Sequence, residues 1–301
     1  MATASANIRR ARPLLGTFVE VEVAAGRRSM AAIDAAFEAV AQVHRLMSFH
    51  ERDSDVSRLN REACHRLTAV HPWTFRVLEM AVEIHRRSNG IFDVAVAPAL
   101  QAIGLLPSTG GNDSIAHGSR RHDAIELLPG HAVRFRRADI AVDLGGIAKG
   151  FAVDRALEVL RGFGVESGLV NAGGDLAAFG AKSHTVHIRH PRHPGQLVCS
   201  VEVCNEALAS SARRRDPFEK AETASSAVID PATDQPPELI DGATVRAPSC
   251  MVADALTKIV MIGGTDSGDL LEHYEADALM ISSDGSLQIT SDLHRAVHLA
   301  A

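Results

Sequence analysis

The chain is 301 residues long, with 46% apolar residues and a formal net charge of −6, enough to bury a large core as one domain or as two intimately packed lobes. Its 31 Lys and Arg against 37 Asp and Glu form no basic run interleaved with aromatics, which excludes a nucleic-acid footprint. No apolar run approaches the roughly 20 residues of a membrane span, and Cys64, Cys199, Cys204 and Cys250 lack the spacing of a zinc site or a disulfide scaffold, so they read as reduced thiols.

The opening "MATASANIRRARPLLGT" carries Arg9 and Arg10 but neither the apolar stretch of an export signal nor a lipid-accepting Cys. Residues 1–13 therefore read as a flexible N-terminus and the protein as cytoplasmic. "TFVEVEVA" (Thr17–Ala24) alternates valines with glutamates, the period of a half-buried strand. The Ala-rich segment Met30–Met47, with Ser29 as N-cap, reads as a helix turning Ile33, Phe37, Val40 and Val43 inward. Ser54 suits the cap of a short helix, and another helix starts at Pro72 and stops near Gly90. Residues 104–122, rich in Gly, Ser and His, read as a loop, and "ELLPGHAVRF" reads as a hairpin around Pro129-Gly130.

"VDLGGIAKGFAVDRALEVL" reads as a strand end, a glycine turn and an amphipathic helix, and "SGLVNAGGDLAAFG" as a strand closed by a tight glycine turn. Further strands are expected at Thr185–Arg189, Leu197–Val203, Ala243–Val245 and Ala278–Ser282. Helices alternate with strands, but several strands join by short turns. The expected class is therefore α+β with mixed, largely antiparallel sheets rather than a doubly wound parallel sheet.

Three glycine turns sit beside carboxylates. In Val142–Gly150, Gly145 and Gly146 let a ligand approach the backbone while the following helix turns its N-terminal amides toward that point, which suits a phosphate. Lys149 adds a mobile positive charge, and Asp143 is placed to accept hydrogen bonds from a base or ribose. The spacing is neither that of a Walker loop nor GxGxxG. Asn171–Leu176 makes a similar offer through Asn171, Gly173 and Gly174, and Asn89–Pro98 places Asp93 in a strand after a helix. Each alone reads as a structural turn before a site; together they suggest a nucleotide-like ligand held by backbone and acids. Arg213–Arg215 reads as a solvated loop, or as an overhang that screens phosphates.

"APSCMVADALTKIVMIGG" is a helix capped by Ser249 and ended by Gly263, with Asp254 and Lys258 one turn apart on one face. Either this is an exposed ion pair of small energetic weight, or a pair that faces a cleft, because the surrounding residues are apolar and burying charge is costly.

Taken in order, "LLGTFVEVEV", "MSFHERDSDVSRLN", "SNGIFDVAVAPAL", "VDLGGIAKGFAVD", "NAGGDLAAFG", "ALASSA", "VIDPAT" and "APSCMVADALTK" resemble the ApbE family of FAD:protein FMN transferases. The resemblance runs from Leu14 to about Gly264. It implies a single two-lobed α+β domain over residues 1–301 around a flavin cleft, and transfer of the FMN moiety of FAD to a Ser or Thr hydroxyl of an acceptor protein, with release of AMP and help from Mg²⁺. Carried over by position, Leu15 and His50 stand where the family's flavin contacts lie. Ile91, Phe92, Asp93, Asp143, Lys149, Asn171, Gly173 and Gly174 would line the FAD site, and Asp254 and Lys258 would act in catalysis. The Gly146 carbonyl, Asp254 and a hydroxyl one helical turn later would hold the metal.

Three positions depart from the family pattern. The hydroxyl expected four residues after Asp254 is Lys258, with Thr257 shifted by one; a charged Lys only donates and cannot ligate Mg²⁺. Ala227 stands where the family commonly has His, and Ala212 where a Gly is expected. The alternatives that follow are a non-catalytic FAD-binding scaffold, or an FAD diphosphatase giving FMN and AMP. His184 and His187 are the other candidates for a base.

Overall fold

The computed structural model describes residues 7–107, 124–213 and 227–299, and an eight-stranded sheet organises them. From edge to edge the sheet runs β1 (Asn7–Leu14), β2 (Thr17–Ala24), β6 (Gly168–Ala172), β7 (Asp175–Phe179), β10 (Ala207–Ala212), β11 (Ile240–Ala247), β12 (Asp277–Ser282) and β13 (Leu287–Ile289). Every neighbouring pair is antiparallel. At the sheet centre both faces are covered. Ala177 and Phe179 on β7, Ala207 and Ala209 on β10, and Ala278 and Met280 on β12 point into one core. The intervening Leu176, Ala178, Leu208, Leu279 and Ile281 point into the other, as the two-residue strand period requires.

The first face is covered by three helices, α1 (Ser29–Met47), α5 (Ala148–Gly162) and α6 (Cys250–Gly263), with α1 against α5 and α5 against α6. The second core lies beneath a three-stranded sheet of β8 (His184–Arg189), β9 (Leu197–Val203) and β14 (Val297–Leu299). A third small sheet, β3 (Thr68–Ala69), β5 (Ala132–Phe135) and β4 (Ile125–Leu128), accompanies α2 (Asp55–Glu62) and α3 (Pro72–Arg87). The short helices α4 (Ala97–Ala102) and α7 (Gly268–His273) complete the described elements. This is an α+β fold.

Several local expectations change. Where residues 1–13 read as flexible, Asn7–Leu14 is an edge strand in register with β2, and Leu15 and Gly16 turn the hairpin with φ of 56° and 70°. Ser29 is the first helical residue and donates its hydroxyl to Ala24 O at 2.9 Å instead of capping. Val142 lies outside any strand because the Asn60 side chain serves both its backbone groups, at 2.8 and 2.9 Å. Asp93 is in a loop, where its Oδ1 accepts the Ala95 N–H at 2.8 Å. Of the loop expected at 104–122, residues 108–122 lie outside the described residues, as do Arg214 and Arg215. Arg213 donates to Glu238 O at 3.0 Å.

The junction of α5 and α6 fixes the site. Both helices begin there, and each closes the other's first turn with a carboxylate. Asp154 on α5 accepts the Cys250 and Met251 amides of α6, each at 2.9 Å, while Ser249 Oγ accepts Val252 N–H at 3.3 Å. In return Asp254 Oδ2 on α6 accepts the Gly150 amide of α5 at 3.1 Å. These are amides a helix cannot satisfy itself. Asp154→Ala strands two of them in buried surroundings, so urea denaturation should show a loss of about 2 kcal/mol.

Candidate functional site

A cleft of about 410 Å³ opens where the N-terminal turn of α5, the middle of α6, the end of β10 and the loop before α4 converge. Part of its lining is apolar: Val96, Leu100, Leu106 and Ile229 belong to one hydrophobic cluster, and Leu105 and Ile262 add to it. Its polar lining comes from Asp93, Asp143, Lys149, Lys258, Ser210 and Ser211. The elements that meet there are far apart in the chain but adjacent in the sheet and helix layers, which is why no single motif describes the cleft.

Of the residues singled out in the sequence, Ile91, Phe92, Asp93, Asp143, Gly146, Lys149, Gly173 and Lys258 line this space. Asn171 and Gly174 do not. They build the turn that presents Gly173, with Asn171 Oδ1 accepting the Gly174 N–H at 2.9 Å. Gly173 has φ of 68°, and a Cβ there would stand 2.5 Å from Thr17 Oγ1, so the turn demands glycine. Leu15, in the neighbouring β1–β2 turn, packs against the main core. His50 is exposed and lies within electrostatic reach of Asp143. Neither His184 nor His187 lines the cleft; both are on β8 of the second sheet.

Asp254 is completely buried. Lys258 Nζ ion-pairs with its Oδ1 and also donates to Asp254 O at 2.9 Å and Thr257 Oγ1 at 3.1 Å. Thr257 Oγ1 donates to Asp254 O at 2.7 Å and shares a 2.8 Å hydrogen bond with Ser211 Oγ, which lies in the cleft wall. Lys149 Nζ stands 3.6 Å from Asp254 Oδ1 and ion-pairs with the buried Asp175. The mobile lysine expected from the sequence is thus held between two carboxylates, and Asp175 is a structural counter-charge.

The electrostatics follow from this packing. Burial alone would push the Asp254 carboxyl up, but the Lys149 and Lys258 ammoniums outweigh it and hold the group below its usual range. Burial opposes the charge on Lys149, and the Asp254 and Asp175 carboxylates reverse that and raise it. Burial also raises Asp143, against the Gly145 amide that its Oδ2 accepts at 3.0 Å. Asp175 is raised by burial and by Asp254 beside it, against the pull of Lys149.

The ligand set that the resemblance implies for Mg²⁺ does not fit these side chains. A Cβ on Gly146 would lie 3.4 Å from Lys258 Cε, so the lysine stem runs past the carbonyl-bearing turn. The ammonium itself sits on Asp254 where a third oxygen ligand would be needed.

Sequence reasoning missed three features. The apolar part of the cleft lining comes from Val96, α4 and the segment after it, together with Ile229, and carries no chemical signature. The Thr257–Ser211 bond joins residues 46 positions apart. The reciprocal use of Asp154 and Asp254 as caps links helices about a hundred residues apart, beyond the reach of any local pattern.

Comparison with known proteins gives a consistent picture. The model of the ApbE family matches residues 15–280. An FAD:protein FMN transferase of Treponema pallidum is 29% identical, over 94% of this chain and 87% of that protein. One of Vibrio cholerae is 29% identical, over 83% and 79%. Among solved structures, the ApbE protein of Thermotoga maritima superposes with a TM-score of 0.86 at 21% identity, covering 97% of this chain and 99% of the other. The flavin transferase ApbE of Vibrio cholerae superposes with a TM-score of 0.81 at 23% identity, covering 96% and 99%. At such identities the structural likeness establishes a shared fold.

Proposed function

Because this chain belongs to the ApbE family, we propose that it transfers the FMN moiety of FAD to a Ser or Thr hydroxyl of an acceptor protein and releases AMP. The observation that carries the reading is the lining of the cleft, which joins an apolar cluster suited to a flat ring system with a glycine turn, lysines and hydroxyls suited to a diphosphate. Ile91, Phe92, Asp93, Asp143, Lys149 and Gly173 are the proposed FAD contacts within it, with Leu15 and His50 as flanking contacts. Asn171 and Gly174 act by shaping the turn.

The acceptor oxygen forms a bond to the phosphorus on the riboflavin side of FAD, and the bond from that phosphorus to the bridging oxygen breaks. AMP leaves with that oxygen. The hydroxyl proton passes to solvent or to a base, so FAD and acceptor give flavinylated acceptor, AMP and one proton. Negative charge collects on the leaving phosphate, and a fixed ammonium in a partly desolvated cleft is suited to offset it. The cysteines at positions 64, 199, 204 and 250 are all free, which fits a reducing compartment, and a cytoplasmic location is part of the same proposal. Among the described residues no helix is long and apolar enough to cross a membrane.

A second reading, a non-catalytic FAD-binding scaffold, draws on Ala227, which lines the cleft without a titratable group. A missing general base lowers a rate by on the order of 10²–10⁴, so turnover is expected to be slow. Incubation with FAD and a Ser- or Thr-bearing acceptor protein, followed by chromatography of nucleotides and mass analysis of the acceptor, should give AMP and covalent flavin in equal amounts. FAD bound without AMP would establish the scaffold instead. AMP and free FMN without covalent flavin would establish an FAD diphosphatase.

A further inference from the structure

We infer that this site carries its own cation: the Lys258 ammonium, anchored on Asp254, occupies the place of a divalent metal ion, and the site binds FAD without one. The inference rests on the transferase reading for its catalytic consequence, though not for the binding measurement that tests it.

Charge balance is the first ground. Two buried carboxylates, Asp254 and Asp175, face two ammoniums, Lys258 and Lys149, and all four are joined through direct ion pairs or the 3.6 Å contact between Lys149 and Asp254. Those four charges balance one another, while Asp143, in the lining of the same cleft and within electrostatic reach of Lys258, stands outside the cluster. A divalent ion added to it would bring like charges within a few ångströms in a poorly solvated place, which is strongly unfavourable.

Occupancy of the donor atoms is the second ground. Asp254 Oδ2 is engaged by the Gly150 amide, and Oδ1 by Lys258. The adjacent hydroxyl, Thr257 Oγ1, is fully buried and bonded to Asp254 O, Ser211 Oγ and Lys258 Nζ. Thr257 therefore supports the ammonium and does not face a metal.

The third ground is position. Lys258 lines the cleft next to Gly146 at the start of α5, where a cation is useful to a diphosphate. Its side chain is 15% exposed, enough to meet a ligand from the cleft while Asp254 holds it from behind. A lysine in this role is a point charge with fixed position, and unlike a metal ion it cannot be removed by a chelator.

The test uses the full-length protein with FAD and Mn²⁺, the paramagnetic stand-in for Mg²⁺, followed by electron paramagnetic resonance of free Mn²⁺. The wild-type protein with FAD should leave the free Mn²⁺ signal unchanged, whereas Lys258→Thr, which restores an oxygen ligand and removes the charge, should take up one equivalent. In parallel, transfer by the wild type should be the same in EDTA and in Mg²⁺. Lys258→Thr should lose about tenfold or more in EDTA and recover when Mg²⁺ is added. Stoichiometric Mn²⁺ uptake by the wild type, or abolition of its activity by EDTA, would overturn the assignment, as would a folded Lys258→Thr that gains no metal. Should Lys258→Thr fail to fold, Lys258→Gln, also neutral and oxygen-bearing, takes its place. AMP absent under every condition would sink the transferase reading alone, since the Mn²⁺ measurement needs no turnover.

Discussion

Gly150→Ala is expected to destabilise the protein by about 3 kcal/mol or more, measured by urea denaturation, a large share of a typical stability. The usual direction of such a change in a helix is the opposite, a gain of up to about 1 kcal/mol because Ala has the higher helix propensity. Sterics decide the sign here. A Cβ on Gly150 would overlap Cys250 O and stand 2.8 Å from Met251 N, both backbone atoms that cannot rotate away. Moving the helices apart relieves the overlap only by stretching the Asp254 and Asp154 bonds that cross the same junction, and each buried amide left unpaired costs about 1–3 kcal/mol. Gly162→Ala is the control, because it lies at the end of the same helix with no atom within 4 Å of the new Cβ. It should be neutral or slightly stabilising. Equal effects at the two positions would show that close helix contact is not what glycine serves at Gly150.

Features governed by local rules were legible in the sequence. Alternating valines specified β2, Ser54 and Ser249 cap the helices expected of them, and the Pro129-Gly130 turn closes the β4–β5 hairpin. Features that depend on distant partners were not. Val142 has strand-like sequence but spends its backbone hydrogen bonds on the Asn60 side chain, 82 positions away. Lys149 looked mobile because nothing near it in sequence shows that Asp175 and Asp254 converge on it. The α6 pair lies between these cases: helical spacing put Asp254 and Lys258 together on a mostly apolar helix, but left both an exposed ion pair and a cleft-facing pair open. Whether it served a cleft required the three-dimensional position of Gly146.

The largest loss of activity is expected from Asp254→Asn, about 10²-fold or more in transfer rate at saturating FAD. The substitution keeps the size of the side chain and an oxygen for the Gly150 amide, so the helix junction is retained. What disappears is the charge that fixes Lys258 in the cleft, and the new amide nitrogen turns a donor toward the ammonium. A displaced cation in a site that works by preorganised charge costs on the order of 10²–10³ in rate, and a shift of about 1 Å is sufficient for 10². Loss of one partner from a buried pair also costs stability, about 3–5 kcal/mol in full. The lower end is expected because Lys149 keeps Asp175 and the Lys258 head reaches the cleft. Asp175→Asn separates the two roles. It unpairs Lys149, which then leans on Asp254 at 3.6 Å, and leaves the Lys258 contact in place. A comparable loss of stability with a much smaller loss of rate should result. Equal rate losses from both carboxylates would mean that the neutral cluster as a whole, and not the placement of Lys258, supplies the working charge. An unchanged rate in Asp254→Asn would reduce Asp254 to the cap that joins two helices.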